Sequence, residues 1–459
     1  MKKFRTLQDR KQLALLPASV EEYVASDDIV RYVDEMVDLL DLSEIEQKYS
    51  YFGRPGYEPR VIVKILVYGV LRGMRSAREL ERACQENLRF IFLTQNEKPD
   101  FRTINLFRRG HAKALAGLLR KTVEVGVKEG VITLESVAVD GTKIRAFAGH
   151  RSFHTVEALQ AELDELERSY EREFEEDCNR DDKDNDDNDS HSLPPELKDK
   201  KQRQERLKAA LAQFEEVEKA KESPAKQLST TDPDSRFMVG PEGRHPCYNA
   251  QAAVDTKSRM VVAGYVTSAC SDHGQVKPML AAINESTDRL PRVLVADKGY
   301  GAQDGLVELR RRRVKGYIPQ RSIRSDKFKY QRETDRFRCQ KRRILKFWRL
   351  RGTHRLYRTK TCQGCALCKS CIQGERDFKT LSVSVHQPLV ERMQKRMDTK
   401  LGKAMLKLRA STIETVFGHL KYARKLSRFL HRGAELVDSM WKFELAVYNI
   451  ERIISLRVA

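Results

Sequence analysis

Between residues 136 and 140 the hydrophobic pattern of this chain changes period. Upstream, apolar residues recur at helical spacing in IVRYVDEMVDLLDL, VIVKILVYGVLRG and RTINLFRRGHAKALAGLLRKTVEVGV. At SVAVD they form a short unbroken run that ends in Asp140. Such a run is expected of a strand buried on both faces, so a helical domain over residues 1–130 should give way to a sheet-containing domain over 131–455. Within the helical part, FGRPGYEP separates two helices, and Ser76 with Glu79 three residues on predicts a capping box before LERACQENLRF.

Further strand signals follow in CYNAQAAVD and MVVAGYVTSA, joined by a turn at 256–259 and read as a hairpin. A helix is expected over GQVKPMLAAINES, a strand at RVLVAD, a helix over 302–313 and a strand at KGYIP. This order predicts an α/β domain, a mixed sheet with flanking helices. Two segments interrupt it. Residues 155–228 are rich in Glu, Lys, Arg and Gln at helical spacing and predict an inserted helical hairpin, with a disordered hinge at DCNRDDKDNDDNDSHS. Residues 320–385 form a basic, cysteine-rich insertion. The amphipathic segments LRASTIETVFGHLKYARKL and LVDSMWKFELAVYNIERII are expected to pack back on the sheet.

Two strands end in an Asp closely followed by Gly, in VAVDGT around Asp140 and VADKGYG around Asp297. Carboxylates at strand ends project into the crevice where such sheets bind ligands, and two close carboxylates repel unless a cation lies between them. Mg²⁺ is the natural candidate. Glu414 borders the apolar face Ile413, Val416, Phe417 and Leu420 of its helix, and Lys421 returns to the same side seven residues on. Three carboxylates suffice for a two-metal site that activates water or a 3′ hydroxyl and stabilises the leaving oxygen.

The charge fits that chemistry. Lys and Arg number 86 against 66 Asp and Glu, a formal charge of +20 and a pI near 9.5, which favours a polyanionic partner. No apolar run approaches the ~20 residues needed to span a bilayer, and MKKFRTLQDRKQ lacks the apolar core of a signal peptide. The expected location is the cytoplasm.

In this order, VAVDGTKIRA, VLVADKGYG and IETVFGHLK resemble the DDE transposases of bacterial insertion sequences, and the helical start, the YNAQAAVD hairpin, the insertion and the cysteine cluster resemble the insertion sequence 1182 group. The resemblance runs over about residues 15–455 and implies a ribonuclease H-like catalytic domain, with Asp140, Asp297 and Glu414 as catalytic ligands of Mg²⁺ or Mn²⁺. It also implies a helical N-terminal domain that recognises terminal inverted repeats, double-stranded transposon-end and target DNA as partners, action as a homodimer on DNA, and a bacterial, nucleoid-associated protein. The family's helix motif carries an Arg before the Glu and a Lys seven after it, here Arg409 and Lys421. Arg409 stands five residues before Glu414, one more than the usual spacing, and the family's Tyr before that Arg is absent. A transposase-derived DNA-binding protein without activity is the alternative reading.

Cys362, Cys365, Cys368 and Cys371 repeat as C-x2-C-x2-C-x2-C, with Cys339 upstream. Thiols at this spacing point to a metal. A ferredoxin-type run ends in x3 and Pro, whereas here the last gap is x2 and Ile372 follows, which favours structural zinc over an iron–sulfur cluster and a redox-regulator role. DNA contacts are expected from KRRILKFWRLRGTHR, with its Phe347 and Trp348, and from Arg409, Lys421, Arg424 and Arg428.

Overall fold

A computed structural model describes residues 19–49, 56–181, 227–240, 243–320, 327–331, 333–372 and 377–458, with a few positions between 203 and 215. The chain divides into two compact units, one of Met1–Val125, Ile144–Tyr248 and Gly418–Ala459, the other of Gly126–Lys143 and Asn249–Phe417. None of the described helices is long and apolar enough to cross a membrane.

In the first unit the helix Pro59–Leu71 is apolar on every side, and residues 61–70 are all buried. It packs against Ile29–Asp38, Leu88–Thr94 and the last helix, Ala434–Val458. Its one buried charge, Lys64, lies 2.7 Å from Asp34 and 2.8 Å from Asp38, acids one turn apart on the neighbouring helix; a buried ammonium without such partners would be strongly disfavoured. Asp28, Asn87 and Asp100 cap helix starts by accepting backbone N–H bonds. Ser76 does stand at the N-cap of Ala77–Glu86, but its side chain makes no capping bond, so the expected capping box does not form.

The first unit also holds most of the charged insertion. Leu159 and Leu163 of the helix Val156–Asp181 pack with Leu207 and Leu228, and Arg203–Glu162 and Lys208–Glu167 pair across the helical positions on either arm. The predicted hinge beyond residue 181 lies outside the described residues.

The strands in chain order are β1 (Ser136–Arg145), β2 (Phe153–His154), β3 (Leu228–Ser229), β4 (Arg236–Gly240), β5 (Gly243–Asp255), β6 (Val261–Thr267), β7 (Val293–Ala296), β8 (Lys315–Tyr317), β9 (Phe328–Gln331), β10 (Arg336–Cys339), β11 (Ile344–Arg351), β12 (His354–Arg358) and β13 (Thr380–Ser384). In the first unit β2 pairs with β3 at the base of the insertion, and β4 pairs antiparallel with the first half of β5.

In the second unit β1 lies between β5 and β7; β7 is parallel to both β1 and β8, and β6 pairs antiparallel with β5. Val137, Ala138, Val139, Leu294, Val295 and Ala296 are all fully buried, as continuous apolar runs in central strands require. The hairpin turn between β5 and β6 places Arg259 at φ 60°. Helices Val276–Thr287, Gln303–Arg311, Gln387–Met397 and Lys400–Arg409 complete this sheet's surroundings, the last packing on β7 and β8. The final helix differs from expectation: it belongs to the first unit, where Asn449 donates to Thr122 and Glu444 binds Arg75. Its residues 444–450 are all buried, and such a helix needs apolar neighbours on more than one side.

Residues 328–384 form a five-stranded antiparallel sheet, β13-β12-β11-β10-β9. Its Trp348, 45% exposed, has the guanidinium groups of Arg349 and Arg358 at 4.2 and 5.2 Å from the ring centre.

Two ion pairs of the first unit should behave oppositely. Arg75 donates Nε and one Nη to the two carboxylate oxygens of Glu444 at 2.5 and 2.8 Å, both side chains being largely buried. Glu444→Ala should cost roughly 3–5 kcal/mol by stranding that guanidinium. Lys113→Ala, opposite the exposed Glu435, should leave stability nearly unchanged, because solvent screens the pair; urea titrations of the two variants would measure both effects.

Candidate active site

The parallel register of β1 and β7 ends on Val139↔Ala296. The next residue on each strand is Asp140 and Asp297, so the two carboxylates leave the sheet side by side. Their chains then diverge. β1 continues to Arg145, so Asp140 lies within its strand rather than at its end, whereas Asp297 caps the short turn Lys298–Tyr300 and accepts from the Gly299 N–H at 2.7 Å.

The third carboxylate comes from the helical segment that continues Lys400–Arg409. Asp140 Oδ1 accepts from the Gly141 N–H at 2.9 Å, and its Oδ2 accepts from Arg409 at 2.8 Å. The same guanidinium reaches Glu414 Oε1 at 3.2 Å. In a regular α-helix, residues five apart point about 140° away from each other. Here residues Ala410–Glu414 form a π-turn, which returns the fifth residue to the same side. Its cause is local: the hydroxyls of Ser411 and Thr412 both donate to the Leu408 carbonyl, and that of Thr415 donates to the Ser411 carbonyl. The extra residue between Arg409 and Glu414 is therefore absorbed by the wider turn.

Burial is the main cause that pushes the Asp140 carboxyl up to about 6; Arg409 opposes the shift and the neighbouring Asp297 adds to it. The buried Tyr300 hydroxyl is pushed well up, by burial first and then by Asp272, Asp140 and Asp297, whose charges converge on it. A side chain at Gly141 would begin 2.1 Å from Gln251 Nε2, 2.4 Å from Asp272 Oδ1 and 2.7 Å from Asn249 Oδ1. Only glycine fits beside Asp140. Asn249, Gln251, Asp272 and Tyr300 thus belong to the site, though the sequence reading did not single them out. The available signal was the pair of amides two apart in an otherwise apolar strand, which must share one face.

Among the described residues no three His, Cys, Asp or Glu side chains are arranged as a ready metal cage. The donors nonetheless suit a hard cation: they are carboxylate oxygens, and a guanidinium already compensates two of them. Cys339, Cys362, Cys365, Cys368 and Cys371 all line one cavity beside the meander sheet, a donor set suited to zinc. The Cys339 sulfur accepts from the Arg343 N–H at 3.3 Å.

The basic residues separate into different roles. Arg409 is 12% exposed and is committed to carboxylates. Arg424, expected to contact DNA, is 1% exposed and pairs with Glu451 at 2.5 Å, so its charge holds the first unit together instead of facing solvent. Arg428 donates to the Ala146 carbonyl and lies over Phe147. Lys421 lies in a second π-turn, His419–Ala423.

The raised value of Asp140 fixes a pH dependence. Its folded value, about 6, lies above the ordinary 3.8, so the penalty for ionising it in the fold is absent below about pH 4, grows through 6 and is complete above. In metal-free protein Asp140→Asn should therefore gain up to roughly 3 kcal/mol of stability at pH 8, two pK units at ~1.4 each, and nothing at pH 4. Denaturation of both forms at the two pH values checks this; a variant less stable than the parent at pH 8 contradicts it.

Residues 18–110 match the family model described as a transposase domain (DUF772), and residues 329–454 match the model described as a transposase DDE domain. The second match includes Arg409 and Glu414 and stops short of the strands that carry Asp140 and Asp297. No curated protein matches the chain. The helical N-terminal match, the match across the helix of Glu414 and the paired aspartates together support a DDE transposase of an insertion sequence.

Proposed function

We propose that this transposase binds the terminal inverted repeats of its element and cuts and rejoins DNA strands at a two-metal site formed by Asp140, Asp297 and Glu414. The observation that carries this reading is the register of β1 and β7, which sets two carboxylates side by side, with Arg409 joining Asp140 to Glu414. Mg²⁺ or Mn²⁺ held by these groups would supply the charge that activates water or a 3′ hydroxyl and stabilises the leaving oxygen.

The chain's own residues do the rest. Asp140 and Asp297 are fixed by sheet backbone, whereas Glu414 is 60% exposed and is the ligand with room to adjust. Arg409 compensates the carboxylates of the metal-free site, and with divalent cations held there its guanidinium would be free to donate to a phosphate oxygen near the scissile bond. No side chain serves as nucleophile, so no covalent protein–DNA intermediate forms. We read the sheet of the second unit as a ribonuclease H-like core and assign the chain to the insertion sequence 1182 group. On this reading it acts as a homodimer on the nucleoid of the bacterial cytoplasm, with residues 1–130 reading the repeats and Lys421 and Arg428 gripping backbone.

Incubation with DNA carrying the element's ends and Mg²⁺ should give cuts at their tips. Ala at Asp140, Asp297 or Glu414 should lower cleavage at least about a hundredfold and leave end binding intact, while salt weakens binding steeply. Bound but uncut ends in both Mg²⁺ and Mn²⁺ would favour the inactive DNA-binding alternative.

We also propose that the cysteine cavity holds one structural zinc. Four thiolates on Zn²⁺ leave a net charge of about −2, which Lys327, Lys341, Arg343 and Lys379 around the cavity would offset. Metal analysis should find about one zinc per chain, and joint replacement of Cys365 and Cys368 by Ser should lower thermal stability more than cleavage rate. Brown protein containing iron would point to the redox reading instead.

A further inference from the structure

We propose that Asp272 is a positioning residue of the active site: fixed by a buried amide shelf on β5, it adds a fourth carboxylate charge to the field that draws divalent cations to Asp140 and Asp297. This rests on the two-metal reading above and deepens it.

Asn249 and Gln251 stand two apart on β5, on one face of the strand, and both are fully buried. Asn249 Nδ2 donates to Asp272 Oδ1 at 2.8 Å, and Gln251 Nε2 donates to the same oxygen at 2.7 Å. The remaining valences are also used. Asn249 Nδ2 donates to the Ala269 carbonyl at 3.2 Å, Gln251 Nε2 donates to Asn249 Oδ1 at 3.0 Å, and the Tyr300 hydroxyl donates to Gln251 Oε1. Two amides and a phenol taken fully from water must be satisfied to be tolerated. Here all of them converge on Asp272 or on the turn that follows Asp297.

The placement of Asp272 explains why the shelf exists. Its Oδ1 lies 2.4 Å from where a side chain at Gly141 would begin, and its Oδ2 lies 3.4 Å from the same point on Gly299. Gly141 follows Asp140 directly, and Gly299 donates to Asp297. Asp272 therefore fills the space between the backbones that carry the two aspartates. Lys143 Nζ, 3.8 Å from Oδ1, offsets part of its charge. A carboxylate used only as a hydrogen-bond acceptor could be replaced by a neutral carbonyl; one whose negative charge matters could not.

That difference is the test. Asp272→Asn keeps an Oδ1 able to accept from both amides while removing the charge and turning Oδ2 into a neutral NH2 donor. Mn²⁺ titration of the full-length protein, following free Mn²⁺ by electron paramagnetic resonance, would compare wild type, Asp272→Asn and Asp140→Asn, with unfolding midpoints measured without metal. The expected result is roughly tenfold weaker Mn²⁺ binding in Asp272→Asn, with its midpoint unchanged. Wild-type Mn²⁺ affinity in Asp272→Asn beside weakened binding in Asp140→Asn overturns the role of Asp272 alone; wild-type affinity in both overturns it together with the reading of Asp140. Should Asp272→Asn fail to fold, Gln251→Met retains the Asp272 charge and removes one of its donors. It should weaken Mn²⁺ binding several-fold, and unchanged affinity in that folded variant overturns the proposal equally.

Discussion

A parallel strand pair has no freedom to separate residues that occupy the same level. Because Val139 pairs with Ala296, Asp140 and Asp297 are held at a strand spacing of about 4.8 Å. Two carboxylates leaving neighbouring strands repel one another. The surrounding structure can be read as a response to this constraint. Arg409 supplies positive charge from the helix, the backbone N–H groups of Gly141 and Gly299 donate to the aspartates, and glycine at both places lets the polar shelf approach. Burial is the larger cause at Asp140 and the neighbouring Asp297 adds to it, which is why its carboxyl holds a proton to about pH 6. A site in this condition gains stability from any added cation.

The first unit handles charge differently. In a chain of formal charge +20, Lys64, Arg75 and Arg424 are withdrawn from solvent, and each is joined to acids on a neighbouring helix. The last helix contributes two of these acids, Glu444 and Glu451. These pairs define which helix faces meet, since an unmatched buried guanidinium would be costly.

Much of the architecture was legible because apolar period reports burial. The all-round apolar VIVKILVYGVL gave a core helix, and RVLVAD gave a central strand. Asp140 and Asp297 could be singled out because each closes a buried apolar run and is closely followed by Gly, although what packs against those glycines could not be read from the sequence. The meander of β9–β13 was missed: its strands are largely exposed and rich in Arg and Lys, so they carry no run of buried residues to reveal them. Arg424 was misjudged because a basic residue in a basic stretch looks solvated until its acid, 27 positions on, is seen beside it. Asp272 escaped notice for a similar reason, since its partners Asn249 and Gln251 are more than twenty residues away.

The two π-turns around Glu414 bear on how such helices are compared. Residues 410–414 and 419–423 wind more widely than the α-helical turns Lys400–Arg409 and Thr415–Gly418 that precede them, so an inserted residue can be taken up as a bulge without rotating the rest of the helix out of place. Angular position is then conserved while the residue count is not. For the arginine–glutamate pair of this helix, alignment by direction around the axis will match equivalent residues where alignment by number will be displaced by one.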